Sequence, residues 1–342
     1  MSLRRSHILI TAALVIVIAA VGVWMFTDAG RLPRIVSLLP ASETIFYADI
    51  APVRAATHFD QHWNLEHDAE YDAFIRATGI EPTRDLNEIA LAVQGLPSDR
   101  RYTEVMRGKF DHTRLSAWLK QHADSSAISS NTVIYTITHE GRPVRVAILD
   151  SDSVAISNTN EDANILHIID AAHHGRATAP EPLRTAYNEV PAGSLAWMVW
   201  QPSSDSGPSV TIGDRTIAVP FPPGTTIVAS LRYLGALRLN ATAVAGNDAD
   251  AQQVTKRMQA FATLAKTFAS AASEIDLKPL ADSISVEQHG SKATLTAEIP
   301  RSLLENLSKL LNPPPQTSPA TPQSPPDKAS SAPKPVHKAH RH

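Results

Sequence analysis

The chain has 342 residues, no cysteine, 25 prolines and a formal net charge of −3, with 19% of its residues charged. The absence of thiols removes thiolate zinc sites, iron–sulfur clusters and cysteine nucleophiles. The near-neutral balance supplies no field to attract nucleic acid, so no nucleic-acid partner is expected.

Residues 1–7 form a short head that carries Arg4 and Arg5. From Ile8 to Phe26 run 19 residues without a charge, a helix of about 28 Å that just spans a hydrocarbon core. That run is longer than the apolar region of a cleaved leader, and Thr27-Asp28-Ala29 is a poor cleavage site. The segment is therefore predicted to be an uncleaved signal anchor, with cleavage as the alternative. Arg4 and Arg5 keep the head in the cytoplasm and send the remainder across, although Arg31 and Arg34 partly balance them. The expected location is the inner (cytoplasmic) membrane, single pass, with the body on the periplasmic side. A cysteine-free body fits that oxidising compartment.

The body is predicted to be α+β, two similar halves of antiparallel strands packed with helices, over 36–175 and 176–311. In the first half, residues 36–43 read as an entry loop and Thr44 to Ile50 as a strand. Tyr71, Phe74, Ile75 and Thr78 share a helical face, and Gly79 ends that helix. Glu88 to Gln94 and Tyr102 to Arg107 are strands. Asp111 caps a helix whose Leu115, Trp118, Leu119 and His122 fall at i, i+3, i+4, i+7. Val133 to Thr138 and Val144 to Leu149 flank Glu140-Gly141-Arg142, a hairpin signal, and Ser153 to Ser157 is a further strand. Asn160 to His174 is amphipathic, with Ile165, Ile168, Ile169 and Ala172 inward.

In the second half, Trp197 and Trp200 share a strand but point to opposite faces, one towards the core and the other towards the surface. Residues 202–224 read as a hairpin about Gly213-Asp214, followed by the stiff, exposed Pro220 to Gly224 segment. Val254, Met258, Phe261, Ala265 and Phe268 mark one face of a helix of about 24 residues. Leu303, Leu304, Leu307, Leu310 and Leu311 form a last amphipathic helix. From 312 to 342 come nine prolines, one acidic residue and no aromatic residue, a disordered Pro-rich tail that cannot bury a core.

Three echoes suggest an internal repeat. Pro40-Ala41-Ser42 before one strand matches Pro191-Ala192-Gly193 before another, 151 residues on. The helix after Gly108 matches the helix after Gly246, and the hairpin at Gly141 matches the one at Gly290.

The segments LLPASETIFYADI (38–50), VMRGKFDHTRLSAWL (105–119) and IIDAAHHGR (168–176), behind a signal anchor, resemble a group of bacterial membrane-anchored proteins of unknown function. The resemblance spans most of 36–311. It implies a cell-envelope location and brings no catalytic residues with it.

Two histidine groups are candidate ligands for a transition metal. His58 and His62 stand one turn apart if 55–65 is helical, with His67 or a carboxylate to complete the site; the plainer reading is a polar surface segment. His167, Asp170 and His174 share one helical face, where imidazoles in a last turn also suit the helix dipole and free carbonyls. Lys334, His337, Lys338, His340, Arg341 and His342 give the tail a small basic end, suited to an anionic surface or to solvation. No nucleophile elbow, phosphate loop or dinucleotide fingerprint is present. The leading expectation is a non-enzymatic, membrane-anchored interaction or scaffold protein with a protein or cell-wall polymer as partner and no bound cofactor. The alternatives are a ligand or metal sensor or carrier that uses the histidines, and a hydrolase whose site only the fold assembles.

Overall fold

The computed structural model describes residues 32–58, 60, 69–94, 101–175, 179–202, 209–212, 215–218, 221–233, 235–271 and 277–300. The predicted head 1–7, anchor 8–26, final helix at 303–311 and tail 312–342 lie outside the described residues, as do His62 and His67. Among those described, no helix is long and apolar enough to cross a membrane.

The strands are β1 (Thr44–Asp49), β2 (Leu86–Gln94), β3 (Arg101–Gly108), β4 (Ser125–Ser129), β5 (Thr132–His139), β6 (Arg142–Ile148), β7 (Ser153–Ser157), β8 (Ala196–Trp200), β9 (Ser209–Ile212), β10 (Arg215–Ala218), β11 (Thr226–Tyr233), β12 (Leu237–Val244), β13 (Ser285–His289) and β14 (Lys292–Ile299). The helices are α1 (Arg34–Ser37), α2 (Ile50–Thr57), α3 (Ala69–Thr78), α4 (Pro82–Asp85), α5 (His112–His122), α6 (Ala163–His174), α7 (Leu183–Ala186), α8 (Asp248–Ala271) and α9 (Lys278–Ser283).

Twelve of these strands form one antiparallel sheet in the order β13-β14-β12-β11-β8-β1-β2-β3-β7-β6-β5-β4, and β9 and β10 make a separate hairpin. The fold is thus mixed α/β around a large antiparallel sheet, and that sheet runs unbroken across residue 175. Strands β1 to β7 lie on one side of the β1/β8 seam and the later sheet strands on the other. At the seam Ile45 pairs with Val199 and Tyr47 with Trp197, with the last two rings 5.5 Å apart.

Partners across an antiparallel pair share a face. Ile45, Tyr47, Trp197 and Val199 all enter one core. The 151-residue offset would instead place Phe46, on the opposite face, at the position of Trp197. Only an even offset matches faces. The hairpin echo shifts too: β14 pairs directly with β12, whereas β6 reaches β3 only through β7. The place of β14 beside a third strand is therefore held by β7 in the earlier part of the sheet.

Both sheet faces are covered. One packs Ile45, Tyr47, Ala90, Val105 and Trp197 against Ile35 and Val36 of α1 and Ile165, Ile168 and Ile169 of α6. The other packs Tyr135, Val146 and Val154 against Leu115 and Leu119 of α5, and Ile227, Ala243 and Ala293 against Val254 of α8. Double coverage explains why β7, read Ser-Val-Ala-Ile-Ser, is buried at nearly every position rather than alternately.

Local chemistry sets the ends. Asp111 accepts from the Arg114 amide at 3.0 Å and starts α5. Gly79, at φ +75°, ends α3, and Arg114 donates from Nε to the Ala77 carbonyl at 2.9 Å and from Nη2 to the Arg76 carbonyl at 2.6 Å. One arginine thus satisfies two orphan carbonyls of α3 and fastens it to α5. Helix α6 starts at Ala163 rather than Asn160, because Arg145 holds the Thr159 and Asn160 carbonyls at 2.6 and 3.1 Å. The expected entry loop begins within a single helical turn, α1, and Ile50 opens α2 rather than closing β1.

Two further expectations change. The buried stripe of α8 is Ala251, Val254, Thr255, Ala262 and Ala269, and Phe261 is 43% exposed. Its floor of Ala243 and Ala293 draws the helix close, which selects small side chains over phenylalanine. Trp200 is not a free surface anchor, because Phe221 packs edge-on against it at 6.0 Å.

Candidate functional site

Helix α2 ends at Thr57, and His58 adopts a left-handed conformation with φ +51°. A helix continuous through 55–65, which the His58/His62 pairing required, is therefore not formed. On α6, His174 Nδ1 lies 2.9 Å from Asp170 Oδ1 and 3.2 Å from the Asp170 carbonyl. The neighbouring His173 Nε2 is 2.8 Å from Thr132 Oγ1. His167 is exposed. These contacts are the helix-end interactions of the plainer reading. Among the described residues no three histidine or carboxylate groups converge to hold a metal ion.

A charged cluster lies at one end of the β1–β3 face that α1 and α6 cover. Tyr47 donates to Glu88 at 3.1 Å, and Arg107 Nε stands 3.2 Å from Glu88 and 3.8 Å from Asp152. Burial, and then the charge of Glu88, holds the Asp49 carboxyl above its usual range. Burial and the same two carboxylates push the Tyr47 phenol up. Each group here answers another, the signature of a closed structural network.

The opposite face differs. Between β3, β6 and β7 below and α3, α4 and α5 above lies a cavity of about 270 Å³. Its floor is Met106, Val146, Val154 and Ile156; its roof includes Phe74, Ile80, Leu115 and Trp118. Phe74 and Trp118 meet edge to face at 5.1 Å, and Trp118 stacks on His122 at 4.3 Å. The indole and the Met106 thioether are the only heteroatom-bearing side chains in the wall. Native interiors hold few voids larger than a water molecule, and an apolar void of about 150 Å³ already admits benzene.

Glu104 is not a wall residue itself, but Met106, two positions on along β3, and Ile156, opposite it on β7, both are. Strand alternation puts Tyr102, Glu104 and Met106 on the cavity face of β3. In the sheet register Glu104 is directly opposite Ile156 on β7 and Leu91 on β2. It is half-buried, forms no hydrogen bond or ion pair with a described residue, and burial pushes its carboxyl up to about 7. Burial and the Glu104 charge also raise the Tyr102 phenol. A buried acid without a partner, next to a cavity, marks a functional-site candidate on physical grounds.

Neither feature was nominated from the sequence. The cavity wall comes from segments spread between Phe74 and Ile156, and no local spacing brings those together. Glu104 did carry a signal, as the one acidic residue in a row with Tyr102 and Met106 on a strand.

No family model matches the chain, and no curated protein matches it. Among solved structures, crystal form I of TP0453 aligns at 8% identity and a TM-score of 0.44, over 82% of this chain and 97% of that chain. Crystal form III of TP0453 aligns at 7% identity and 0.41, over 82% and 99%. Likeness at this level assigns neither a family nor a function to this chain.

Proposed function

We propose that this chain is a non-enzymatic binding protein of the cell envelope, anchored through residues 8–26, whose α/β body takes up a small apolar ligand beneath α3 and α5. The 270 Å³ cavity carries this reading. It is partly open to solvent and its exposed wall is wholly apolar, surface that an apolar occupant would remove from water. The size suits an aliphatic ligand or a one- or two-ring aromatic, up to about twice the volume a benzene needs. The reading keeps the carrier role weighed from the sequence and moves it from the histidines to the cavity. It also retains two related halves about the β1/β8 seam and a Pro-rich tail that extends from the body.

Naphthalene binding to the full chain in lipid nanodiscs, corrected for empty nanodiscs, tests it. Wild type is expected to saturate, while Val154→Phe, which fills the floor, does not bind but still melts cooperatively. Equal uptake by both proteins refutes the cavity as the site.

The interaction or scaffold role has its own support in β4, an edge strand reading Ser-Ser-Ala-Ile-Ser on which Ile128 is 78% exposed. It carries no charge or proline, and no helix among the described residues covers it in the way that protects edges from pairing. A crosslinking pull-down that loses its partner on Ile128→Lys supports that role; recovery of the protein alone counts against it.

A further inference from the structure

We infer that the cavity selects an apolar amine, whose hydrocarbon part fills the space beneath α3 and α5 while its ammonium meets the carboxylate of Glu104. The inference rests on the cavity reading above and names its ligand class.

Three observations lead to it. Position comes first. Glu104 faces Ile156 across the β3/β7 ladder, and Ile156 lines the cavity. Cross-strand neighbours hold their Cβ atoms about 5 Å apart, so Glu104 stands one side chain away from the wall and a rotamer change would bring its carboxyl to the cavity edge. Isolation comes second. Along its strand Glu104 has Tyr102 and Met106 on the same face, and across it Leu91 and Ile156; none of these supplies a cation. The contrast with three other shielded acids is the third. Asp85 is met by Arg84, Glu88 by Arg107 and Glu189 by Lys292, while Glu104 has no such partner among the described residues.

An ionised carboxylate shielded from water gains from a cation brought by the ligand. A neutral alcohol would gain only an ordinary hydrogen bond, and a carboxylate ligand would be repelled. The wall itself offers nothing to hold a head group but the Trp118 indole and the Met106 thioether. Specificity therefore falls on the one acid. Burial alone raises the proton affinity of Glu104, so its ionised form carries a desolvation cost that a paired cation would offset.

The test uses the full chain in lipid nanodiscs and three probes of one shape, 2-phenylethylamine, 2-phenylethanol and phenylacetate, each displacing naphthalene at pH 8. Wild type is expected to bind the amine about tenfold to a hundredfold more tightly than the alcohol, as loss of a charge-assisted bond implies, and the anion most weakly. In Glu104→Gln the amine should fall to the level of the alcohol, with the alcohol unchanged. Equal binding of amine and alcohol by wild type, or an amine preference that survives Glu104→Gln, overturns the amine assignment and leaves the cavity reading standing. If no probe displaces naphthalene from wild type and naphthalene itself does not bind, the cavity reading fails with it.

Discussion

Replacing Glu104 with glutamine should make the protein more stable at alkaline pH and leave it unchanged in acid. Burial raises this carboxyl from 4.5 to about 7, so the native state holds a proton that the unfolded chain releases earlier. A group raised in this way contributes its full stability below the unfolded value, and that contribution declines through the window from about 4.5 to 7. At 1.36 kcal/mol per pH unit the decline is about 3 kcal/mol, and residual solvent contact of the half-buried side chain reduces it to about 1.5–3 kcal/mol. Glutamine keeps the shape and cannot ionise, so the variant escapes this loss. Asp49 is also held above its usual range by burial and Glu88, which makes the difference between the two proteins, rather than either curve alone, the quantity to follow. Urea unfolding at pH 4, 6 and 8 measures it. Near-coincidence at pH 4 with a variant more stable by about 1.5–3 kcal/mol at pH 8 is expected, or several degrees in Tm. A constant difference across the range, or a less stable variant at pH 8, refutes the argument that Glu104 is isolated in an apolar setting.

Asp85 works with the opposite sign. Burial raises its carboxyl, but bonds from Arg84 Nε and Nη2 at 2.8 and 2.6 Å and from the Glu81 amide at 2.8 Å outweigh that and hold it below the usual range. Asp85→Asn should cost about 1–3 kcal/mol at pH 7, a gap that closes as pH falls below the carboxylate range, read by denaturant titration at pH 7 and 3. Gly108→Ala would set a Cβ 2.4 Å from the Asp85 carbonyl oxygen. That oxygen also accepts from the Lys109 amide at 2.9 Å, so neither backbone can give way freely. A loss of about 2 kcal/mol or more is expected in thermal melts, and a neutral result would show that the β3 end is looser than its contacts imply.

The hairpin about Gly141, the capped start of α5 and the extent of β7 were legible in the sequence, because each depends on neighbouring residues. Asp111 meets an amide three residues on, and Gly141 takes φ +74° in the turn that alternation on both sides marks. What failed depended on distant partners. The predicted face of α8 holds at Val254 and Met258 and fails at Phe261, because the sheet beneath offers Ala243 and Ala293, and that floor is unknown to a periodicity count. The 151-residue echo matched residues and missed parity, since only the pairing of Tyr47 with Trp197 shows which side chains share a face. The charge of Glu104 was visible in the sequence; its lack of a partner among the described residues was not, because that is a property of every neighbour at once.

The same contrast explains why the cavity lies where it does. Each side of the sheet has a helix after its third strand on the face away from α6: α5 follows β3 and α8 follows β12. Helix α8 has 24 residues and packs Val254 onto Ile227 and two alanines, so helix and sheet approach closely and fill the space between them. Helix α5 has only 11 residues and stands on Tyr135, Val146 and Val154, bulkier side chains that hold it further off. The uncovered remainder of that face falls to α3 and the single turn of α4, joined to α5 by Arg114 and by the Phe74–Trp118 contact. Three short helices cannot interdigitate with a twisted sheet as one long helix does, and the volume they leave is the cavity. A change that lets α5 settle, such as Val146→Ala paired with Val154→Ala, should therefore shrink the space as well as remove floor atoms, and lower naphthalene uptake. Increased uptake would show instead that α3 and α4, rather than the floor residues, set the height of the roof.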